Sequence, residues 1–229
     1  MPKLKMFAAI PRKPDISSQE FHDHWRHPHG TMGRRISILR KYIQSHQIHC
    51  DLLGADQTRF EGIAEVWIDS VADAQYFPNE PTYASEVVPD ELLFIDLKNL
   101  KFLLTTEEVL VSGPDRTGPV SEGDAVWYDD DRAVNIKIIQ LIEEEGSKPW
   151  RSERDVDLGL QIKSLRHVCC NPAVEVHGAT PPFVGVRELW WPTLSAFRNG
   201  VAAAPAAWAE LINRPGKAFT VLVHSERFK

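Results

Sequence analysis

A cluster of histidines near the start of the chain is the part of the sequence best suited to chemistry. Four of the nine histidines fall within eight residues, at His22, His24, His27 and His29. The ordinary pKa of imidazole lies near neutrality, so such a cluster indicates proton transfer or metal binding. Pro28 restricts the residue before it and lacks a backbone donor, which predicts a helix break at His27-Pro28. We expect His29 to face the space opened by this break and to act as a general acid or base, with a satisfied structural histidine as the alternative.

Metal binding is the second use that this cluster could have. His22 and His29 could supply two imidazoles, and Asp23 or Asp96 a carboxylate. However, the sequence has no HExxH motif and no pair of histidines four residues apart in the cluster, which are the stronger signals for a metal held by a helix. We therefore expect no metal.

The residues beside the histidines predict one wall of a binding pocket. Phe21 and Trp25 share an apolar stripe of the predicted helix, and His22 and His29 lie on a neighbouring line. Trp25 beside His29 could wall a pocket that accepts aromatic groups, and we include Phe21 and His22 among the residues expected to contact a substrate. The alternative is a stripe that only packs into the core, with His22 on the solvated face.

The next strand carries three polar residues on one face. Alternation places Tyr42, Gln44 and His46 together, and a phenol, an amide and an imidazole could orient a small carbonyl or phenol substrate in an otherwise apolar pocket. His46 is thus a second candidate for proton transfer. Asp96 is expected to hold His29 in one tautomer. The alternatives are that the strand residues cap the rim of the sheet and that Asp96 caps a loop.

The elements that must position these residues follow the order βαββαβ in the first half of the chain. They are predicted as a strand at 4–11, a helix at 18–39, strands at 41–50 and 60–68, a helix at 70–88 and a strand at 100–111. Ser17 and Glu20 fit a capping box at the start of the first helix. This order is that of the split-βαβ, ferredoxin-like unit.

The second half of the chain repeats this plan. Residues 60–70 align without gaps on 183–193, with Phe, Gly, Glu and Trp at the same places. Weaker similarities link 38–42 to 164–168 and 105–108 to 224–227, and 202–212 is the clearest helix of the second half. The predicted fold class is α+β, with tandem ferredoxin-like units at 1–111 and 133–229, a linker at 112–132, and an intramolecular pseudo-dimeric α+β barrel. The alternative is two domains that do not meet.

Two acidic residues and two tryptophans occupy equivalent positions of the main repeat. Glu65 and Glu188 lie on otherwise apolar strands, so we expect them to pair with an arginine such as Arg40 or Arg166 rather than to act in catalysis. The tryptophans at positions 67 and 190 are expected in the core or between sheets.

Composition excludes several classes of function. The formal net charge of -6 and the absence of a long Lys/Arg run argue against nucleic acid and anionic membranes as partners. The sequence has no signal peptide or membrane-span pattern, and its three cysteines show no CxxC spacing, so we expect a cytoplasmic protein. It also lacks GxGxxG, Walker-type and GxSxG motifs, which disfavours nicotinamide, flavin and nucleotide triphosphate chemistry and predicts no cofactor.

The first half of the chain resembles the EthD family of the dimeric α+β barrel group. The resemblance rests on the Phe21-x-x-x-Trp25-x-x-x-His29 spacing, on the segment 41–46, on the strand 60–67, and on Asp96 with the closing 106–108, and covers most of 4–111. Residues 133–228 share only the Phe-x-Gly-x-x-Glu-x-Trp strand and the overall plan, and Trp150 there has no matching histidine. The resemblance implies a cavity between sheet and helices in each half, of which only the first keeps the polar residues.

The resemblance also bounds the activity. Members accompany oxidative degradation or polyketide tailoring, and related barrels include cofactor-free monooxygenases, decarboxylases, isomerases and dehydratases. We expect a cofactor-independent lyase or isomerase that acts by proton transfer on a small oxygenated substrate, aromatic or aliphatic. The alternatives are a ligand-binding accessory protein of an oxygenase system and a cofactor-free monooxygenase. One chain would suffice for the barrel, while a homodimer of whole chains stays open.

Overall fold

The computed structural model describes residues 4–113, 116–117 and 134–229. Its strands are β1 (Leu4–Ile10), β2 (Lys41–Ile48), β3 (Gly62–Ile68), β4 (Lys101–Gly113), β5 (Arg116–Thr117), β6 (Val134–Glu144), β7 (Arg166–Pro172), β8 (Gly185–Trp191) and β9 (Lys217–Arg227). Eight of them close into an antiparallel barrel in the order β1-β3-β2-β9-β6-β8-β7-β4, with β4 pairing back onto β1. The predicted α+β barrel is therefore present as a single closed sheet.

Short helices and turns connect the strands. They are α1 (Ser18–His24), a π-helical turn (Trp25–His29), α2 (Gly30–Gly33), α3 (Val71–Tyr76), a second π-helical turn (Tyr83–Val87), α4 (Val88–Phe94), α5 (Asp155–Gln161), α6 (Val174–His177), α7 (Leu194–Ala203) and α8 (Pro205–Asn213), with 3-10 turns at Ala55–Thr58 and Phe77–Asn79. No helix within the described ranges is long and apolar enough to cross a membrane.

The predicted helix starts after Ser17 and at Ser70 are confirmed, whereas the helix predicted at 202–212 begins at Pro205, after α7 has ended at Ala203. The Ser17 side chain accepts a hydrogen bond from the Glu20 backbone N–H, and the Glu20 carboxylate accepts one from the Ser17 N–H, which completes the capping box. The Ser70 and Thr193 side chains cap α3 and α7 by accepting from the Asp73 and Ala196 backbone N–H groups, as expected of polar residues that end the repeated strand. These side chains satisfy backbone donors that the first helical turn leaves without partners.

The predicted helices are interrupted more often than their hydrophobic pattern indicates. The chain leaves helical geometry at His27 (φ -152, ψ 124), which confirms the predicted break, and α2 ends at Gly33 rather than near residue 39. The helix predicted at 70–88 stops at Tyr76 before Pro78 and resumes at Tyr83 to reach Phe94. Proline explains the second interruption, because it cannot donate to the preceding turn.

The strand registers place the two halves in correspondence. Lys5 lies opposite Trp67 between β1 and β3, and Lys137 lies opposite Trp190 between β6 and β8, so the two tryptophans of the main repeat have matching strand registers. The two weaker similarities are displaced by one residue. The sequence similarity aligns Tyr42 with Val168. In the structure Tyr42 pairs with Val66, and Leu189, the counterpart of Val66 in the main repeat, pairs with His167, so His167 is the structural counterpart of Tyr42. A shift of one residue matters because it exchanges the two faces of a strand.

Four charged residues meet inside the barrel. The Lys5 ammonium lies 2.8 Å from Glu65 and 2.6 Å from Glu188, and the Lys137 ammonium lies 2.6 Å and 3.0 Å from the same two carboxylates. All four side chains are fully buried. Burial alone would lower the pKa of Lys5, but Glu188 and Glu65 hold it well above its usual value. The predicted arginine partners are therefore wrong: Lys5 and Lys137 pair with these glutamates, while Arg40 binds Asp69 at the surface.

The predicted linker lies mostly outside the described residues. Its first part is sheet, because β4 continues to Gly113 and β5 pairs with it.

Candidate active site

A cavity lies between the N-terminal strands and the helices that cover them. It is a narrow space that is open to solvent. Strand alternation builds its floor, because every second residue of β1 and β3 faces it while the residues between face the barrel interior. The floor is formed by Met6, Ala8, Ile10, Ala64 and Val66, and phenylalanines 77 and 102 belong to the lining as well. A mainly apolar space with few polar groups is typical of small-molecule sites.

His29 lies in the cavity wall just after the break in the first helix. Its side chain is almost completely buried, and its Nδ1 lies 2.8 Å from a carboxylate oxygen of Asp90. The second oxygen of Asp90 contacts Nε2 of His24, also at 2.8 Å. Burial raises the pKa of Asp90, but His29 and His24 more than compensate and lower it overall. An ionised Asp90 can only accept, so Nδ1 of His29 donates and Nε2 is left to exchange a proton with a ligand.

The structure does not bring Asp96 to His29. Asp96 follows the end of α4, where its backbone N–H donates to Pro11 and its carboxylate accepts from the Asn99 amide at 2.6 Å. It therefore caps a loop and lines a separate depression beside Arg12. The residue that holds His29 lies within α4 because a helical turn, and not the loop beyond it, packs against the first helix.

A second carboxyl group lines the same cavity. Glu91, next to Asp90 on α4, is kept from water by the surrounding residues, and this burial raises its pKa to about 7. The Tyr83 phenol lies 3.4 Å from a Glu91 oxygen and belongs to the lining too. A carboxyl group with a pKa near neutrality can both give and take a proton under ordinary conditions.

Sequence reasoning missed Asp90, Glu91 and Tyr83. A signal was present: Val87, Asp90, Glu91 and Phe94 have the spacing of one helix face, and Val87 and Phe94 are buried. An acidic pair on an otherwise apolar stripe is uncommon unless it is paired or functional.

The polar face of β2 forms as predicted, but only one of its three side chains reaches the cavity. Tyr42 is part of the lining, whereas Gln44 and His46 lie behind it. The Gln44 amide donates to the Tyr42 oxygen at 2.8 Å, and His46 Nε2 lies 3.1 Å from the Gln44 carbonyl oxygen. Burial, and secondarily Arg26, lower the pKa of His46 to about 3, so its ring is neutral at ordinary pH.

The aromatic residues predicted to contact a substrate also lie behind the cavity wall. Phe21 and Trp25 are fully buried, with Phe21 against Phe94 and the Trp25 ring 4.5 Å from that of His46. His22 contacts His46 through their Nδ1 atoms at 2.9 Å. Of the predicted site residues, His29 and Tyr42 thus line the cavity. Phe21, Trp25 and His22 lie in the layer behind it.

Among the described residues, long polar side chains occupy the equivalent position of the second half. Ala8 and Ala64 of the cavity floor correspond to Gln140 and Arg187, which face each other in the same register. The Arg187 side chain is fully buried, donates to Gln140 at 2.8 Å and forms an ion pair with Asp155 at 3.2 Å. Two alanines on one side and two long polar side chains on the other explain why the halves differ.

The described residues bring three possible metal ligands together inside the barrel, away from the histidines. These are Glu107, Cys170 and Glu188. The Lys5 ammonium already lies 2.6 Å from Glu188 and 3.6 Å from Glu107, so a positive charge occupies this position. The group is therefore better described as part of the buried ion-pair cluster.

Comparison with known proteins agrees with this architecture. An anthrone oxidase-like protein of known structure aligns over 100% of this chain and 94% of its own, with a TM-score of 0.62 and 8% identity. A chlorite dismutase variant from Candidatus Nitrospira defluvii aligns over 98% and 91%, with a TM-score of 0.52 and 10% identity. A candidate monooxygenase from Lactobacillus acidophilus NCFM aligns over 100% and 95%, with a TM-score of 0.50 and 9% identity. These similarities place the fold among the dimeric α+β barrels.

Residues 13–98 match the model of the EthD domain. This segment contains α1, the histidine cluster, β2, β3 and α4, and its match to the EthD domain model confirms the resemblance of the first half of the chain to that family. A search of curated proteins gives no match.

Proposed function

We propose that this protein is an enzyme that moves protons on a small, largely apolar and oxygenated substrate bound in the N-terminal cavity. The observation that carries this proposal is the contact of His29 Nδ1 with Asp90 in the cavity wall. It leaves Nε2 of His29 as a base that faces the cavity, while Glu91 supplies a second group with a pKa of about 7.

The groups support a reaction in which a C–H bond next to a carbonyl group is broken. His29 Nε2 takes the proton, and the electron pair of the C–H bond moves onto the carbonyl oxygen to form an enolate. The resulting imidazolium is stabilised by Asp90, in the manner of a histidine oriented by a carboxylate. Return of a proton from Glu91 to another carbon would complete an isomerisation, and departure of a leaving group would complete an elimination.

A cofactor-free oxygenation is the second candidate function. It is favoured by the names of two structures with this fold, an anthrone oxidase-like protein and a candidate monooxygenase. The first step would be the same, because an enolate formed by His29 is the species that reacts with molecular oxygen. A ligand-binding accessory role would use the cavity without this step.

The test follows proton exchange and oxygen uptake in parallel. Anthrone and small aryl ketones are incubated with the protein in D2O, and loss of the C–H signal is followed by NMR while an oxygen electrode follows uptake. His29→Asn should slow exchange at least about 100-fold, whereas His27→Asn, a change at an exposed histidine two residues away, should not. Equal exchange in both variants would remove His29 from the mechanism. Stoichiometric binding without exchange or uptake would indicate the accessory role.

We also propose that the two halves are tandem ferredoxin-like units, that one chain suffices for the barrel, and that the protein works in the cytoplasm. The supporting observations are the matching registers of the two halves and the three free, buried cysteines Cys50, Cys169 and Cys170. The mass of the protein in solution tests whether a homodimer of whole chains forms.

A further inference from the structure

We propose that a relay of hydrogen bonds through His22, His46 and Gln44 fixes the Tyr42 phenol as a donor into the cavity, so that the cavity selects ligands with a carbonyl oxygen. This inference rests on the proposed function, because it takes the cavity as the substrate site. It assigns Gln44 and His46 as positioning residues, neither of which touches the substrate.

The orientation of Gln44 determines the direction of the relay. Its side-chain nitrogen lies 2.6 Å from the backbone oxygen of Trp25 and 2.8 Å from the Tyr42 oxygen. Exchanging the amide oxygen and nitrogen would place two acceptor oxygens 2.6 Å apart, which is unfavourable. Both amide hydrogens are therefore used for Trp25 and Tyr42, and the amide oxygen of Gln44 can only accept.

The tautomers of the two histidines follow from this orientation. Because the Gln44 oxygen accepts, the nitrogen of His46 that faces it, Nε2, must carry the hydrogen. His46 is neutral, so its Nδ1 is an acceptor, and the donor at 2.9 Å must be Nδ1 of His22. Nε2 of His22 then faces a Glu61 oxygen at 3.4 Å, and Glu61 is in turn fixed by Arg12 at 2.8 Å.

The relay ends at Tyr42. Its oxygen accepts from Gln44, so its own hydrogen must point to another acceptor, and none of the described residues provides one. Burial raises the pKa of this phenol, so it keeps its proton. Because Tyr42 lines the cavity, we infer that this hydrogen is available to a ligand bound there.

The second half provides an internal comparison. The places of Tyr42 and Gln44 are taken there by His167 and Cys169, and the space in front of them is filled by Arg187. A thiol cannot supply the two directed donors of an amide. In the described part of the chain, the relay and the open cavity thus occur together in the first half, and the residues at the corresponding positions of the second half form neither.

The first experiment measures the tautomers without a ligand. Nitrogen-15 NMR of the imidazole rings in the full-length protein should show His46 as the neutral Nε2–H form. His46→Gln keeps an N–H donor and should preserve ligand selectivity, whereas His46→Leu should lose it. An Nδ1–H form of His46 would overturn the relay.

The second experiment measures selectivity with two ligands of nearly the same shape, 1-indanone and indane. The dissociation constant of the wild type for 1-indanone should be about tenfold lower than that for indane. The carbonyl stretching frequency of the bound ketone should shift to a lower value. Tyr42→Phe should abolish both the preference and the shift. Gln44→Glu should also abolish the ketone preference and the frequency shift although the phenol is still present, because the new carboxylate accepts the Tyr42 hydrogen.

Equal binding of the two ligands by the wild type, or binding of neither, would overturn the selectivity. The readouts separate this inference from the proposed function. Loss of proton exchange in His29→Asn together with no ketone preference would refute the relay alone. Ketone-selective binding without any turnover would refute the proposed function and leave the relay intact.

Discussion

Ala64 and Arg187 occupy the same position in equivalent strands. The small side chain of Ala64 leaves space for the cavity in the first half, whereas the long side chain of Arg187 fills the equivalent space in the second half. Each pairs with a residue of matching size in the neighbouring strand, Ala8 in the first half and Gln140 in the second. The barrel therefore does not impose a cavity on both halves. Side-chain volume at two positions on each floor decides which half can hold a ligand.

Filling the cavity should abolish function while leaving the fold intact. Ala64→Leu places a larger apolar side chain into open space, so ligand binding should fall at least about tenfold with a change in unfolding free energy below about 1 kcal/mol. Calorimetric binding and urea denaturation measure the two quantities. Ala72→Leu, at an exposed position of α3, is the control. Unchanged binding in Ala64→Leu would show that the ligand lies elsewhere.

Arg187 should be important for stability and not for activity. Arg187→Ala leaves the buried Asp155 with one cation fewer and opens space, which we expect to cost about 3 kcal/mol of unfolding free energy. Urea denaturation measures this loss against Arg198→Ala, a change at an exposed arginine. A loss below about 0.5 kcal/mol would contradict the packing role assigned to Arg187.

The ion-pair cluster in the barrel should tolerate the removal of one positive and one negative charge together better than the removal of one charge alone. Lys137→Met leaves Glu65 and Glu188 with a single ammonium between them, and removal of one partner from a buried pair costs about 3–5 kcal/mol. Adding Glu188→Gln should recover part of this loss. Denaturation of the single and double variants tests the coupling, and purely additive losses would show that the charges act independently.

Glu91 should make stability and activity depend on pH near neutrality. Its pKa is raised from 4.5 to about 7, so the native protein holds a proton that the unfolded chain has already lost between these values. The contribution of the protonated group is complete below pH 4.5 and is lost as the pH rises through about 7. Unfolding free energy of the wild type should fall over this range relative to Glu91→Gln, and parallel pH profiles of the two proteins would contradict the assignment.

Local signals allowed several parts of the site to be predicted from sequence. The capping box at Ser17, the break at Pro28 and the shared face of Tyr42 and Gln44 depend on residues close in the chain, whose chemistry dictates the geometry. The same reasoning predicts the position of His29 at the cavity, since the break determines where its side chain can point.

Contacts between distant segments were harder to predict. The sequence predicts Asp96 as the partner of His29, whereas the structure has Asp90, because nothing in the sequence shows that a helix extends past the prolines as far as Phe94. The partners of Glu65 depend on how the barrel closes, and two lysines separated by more than a hundred residues meet there. Strand register is also difficult to predict from sequence. The sequence similarity aligns Tyr42 with Val168, one residue away from its structural counterpart His167.

The pairing of β2 with β9 has a consequence for the order of folding. The strand that carries Tyr42 and Gln44 gains its second neighbour only through β9, whose Ser225 lies opposite Ser45 across 180 residues of chain. During synthesis the N-terminal half must therefore wait, with one sheet edge unpaired, until the last strand emerges. Contacts of such long sequence separation slow folding, so the half that holds the candidate active site is expected to be completed late.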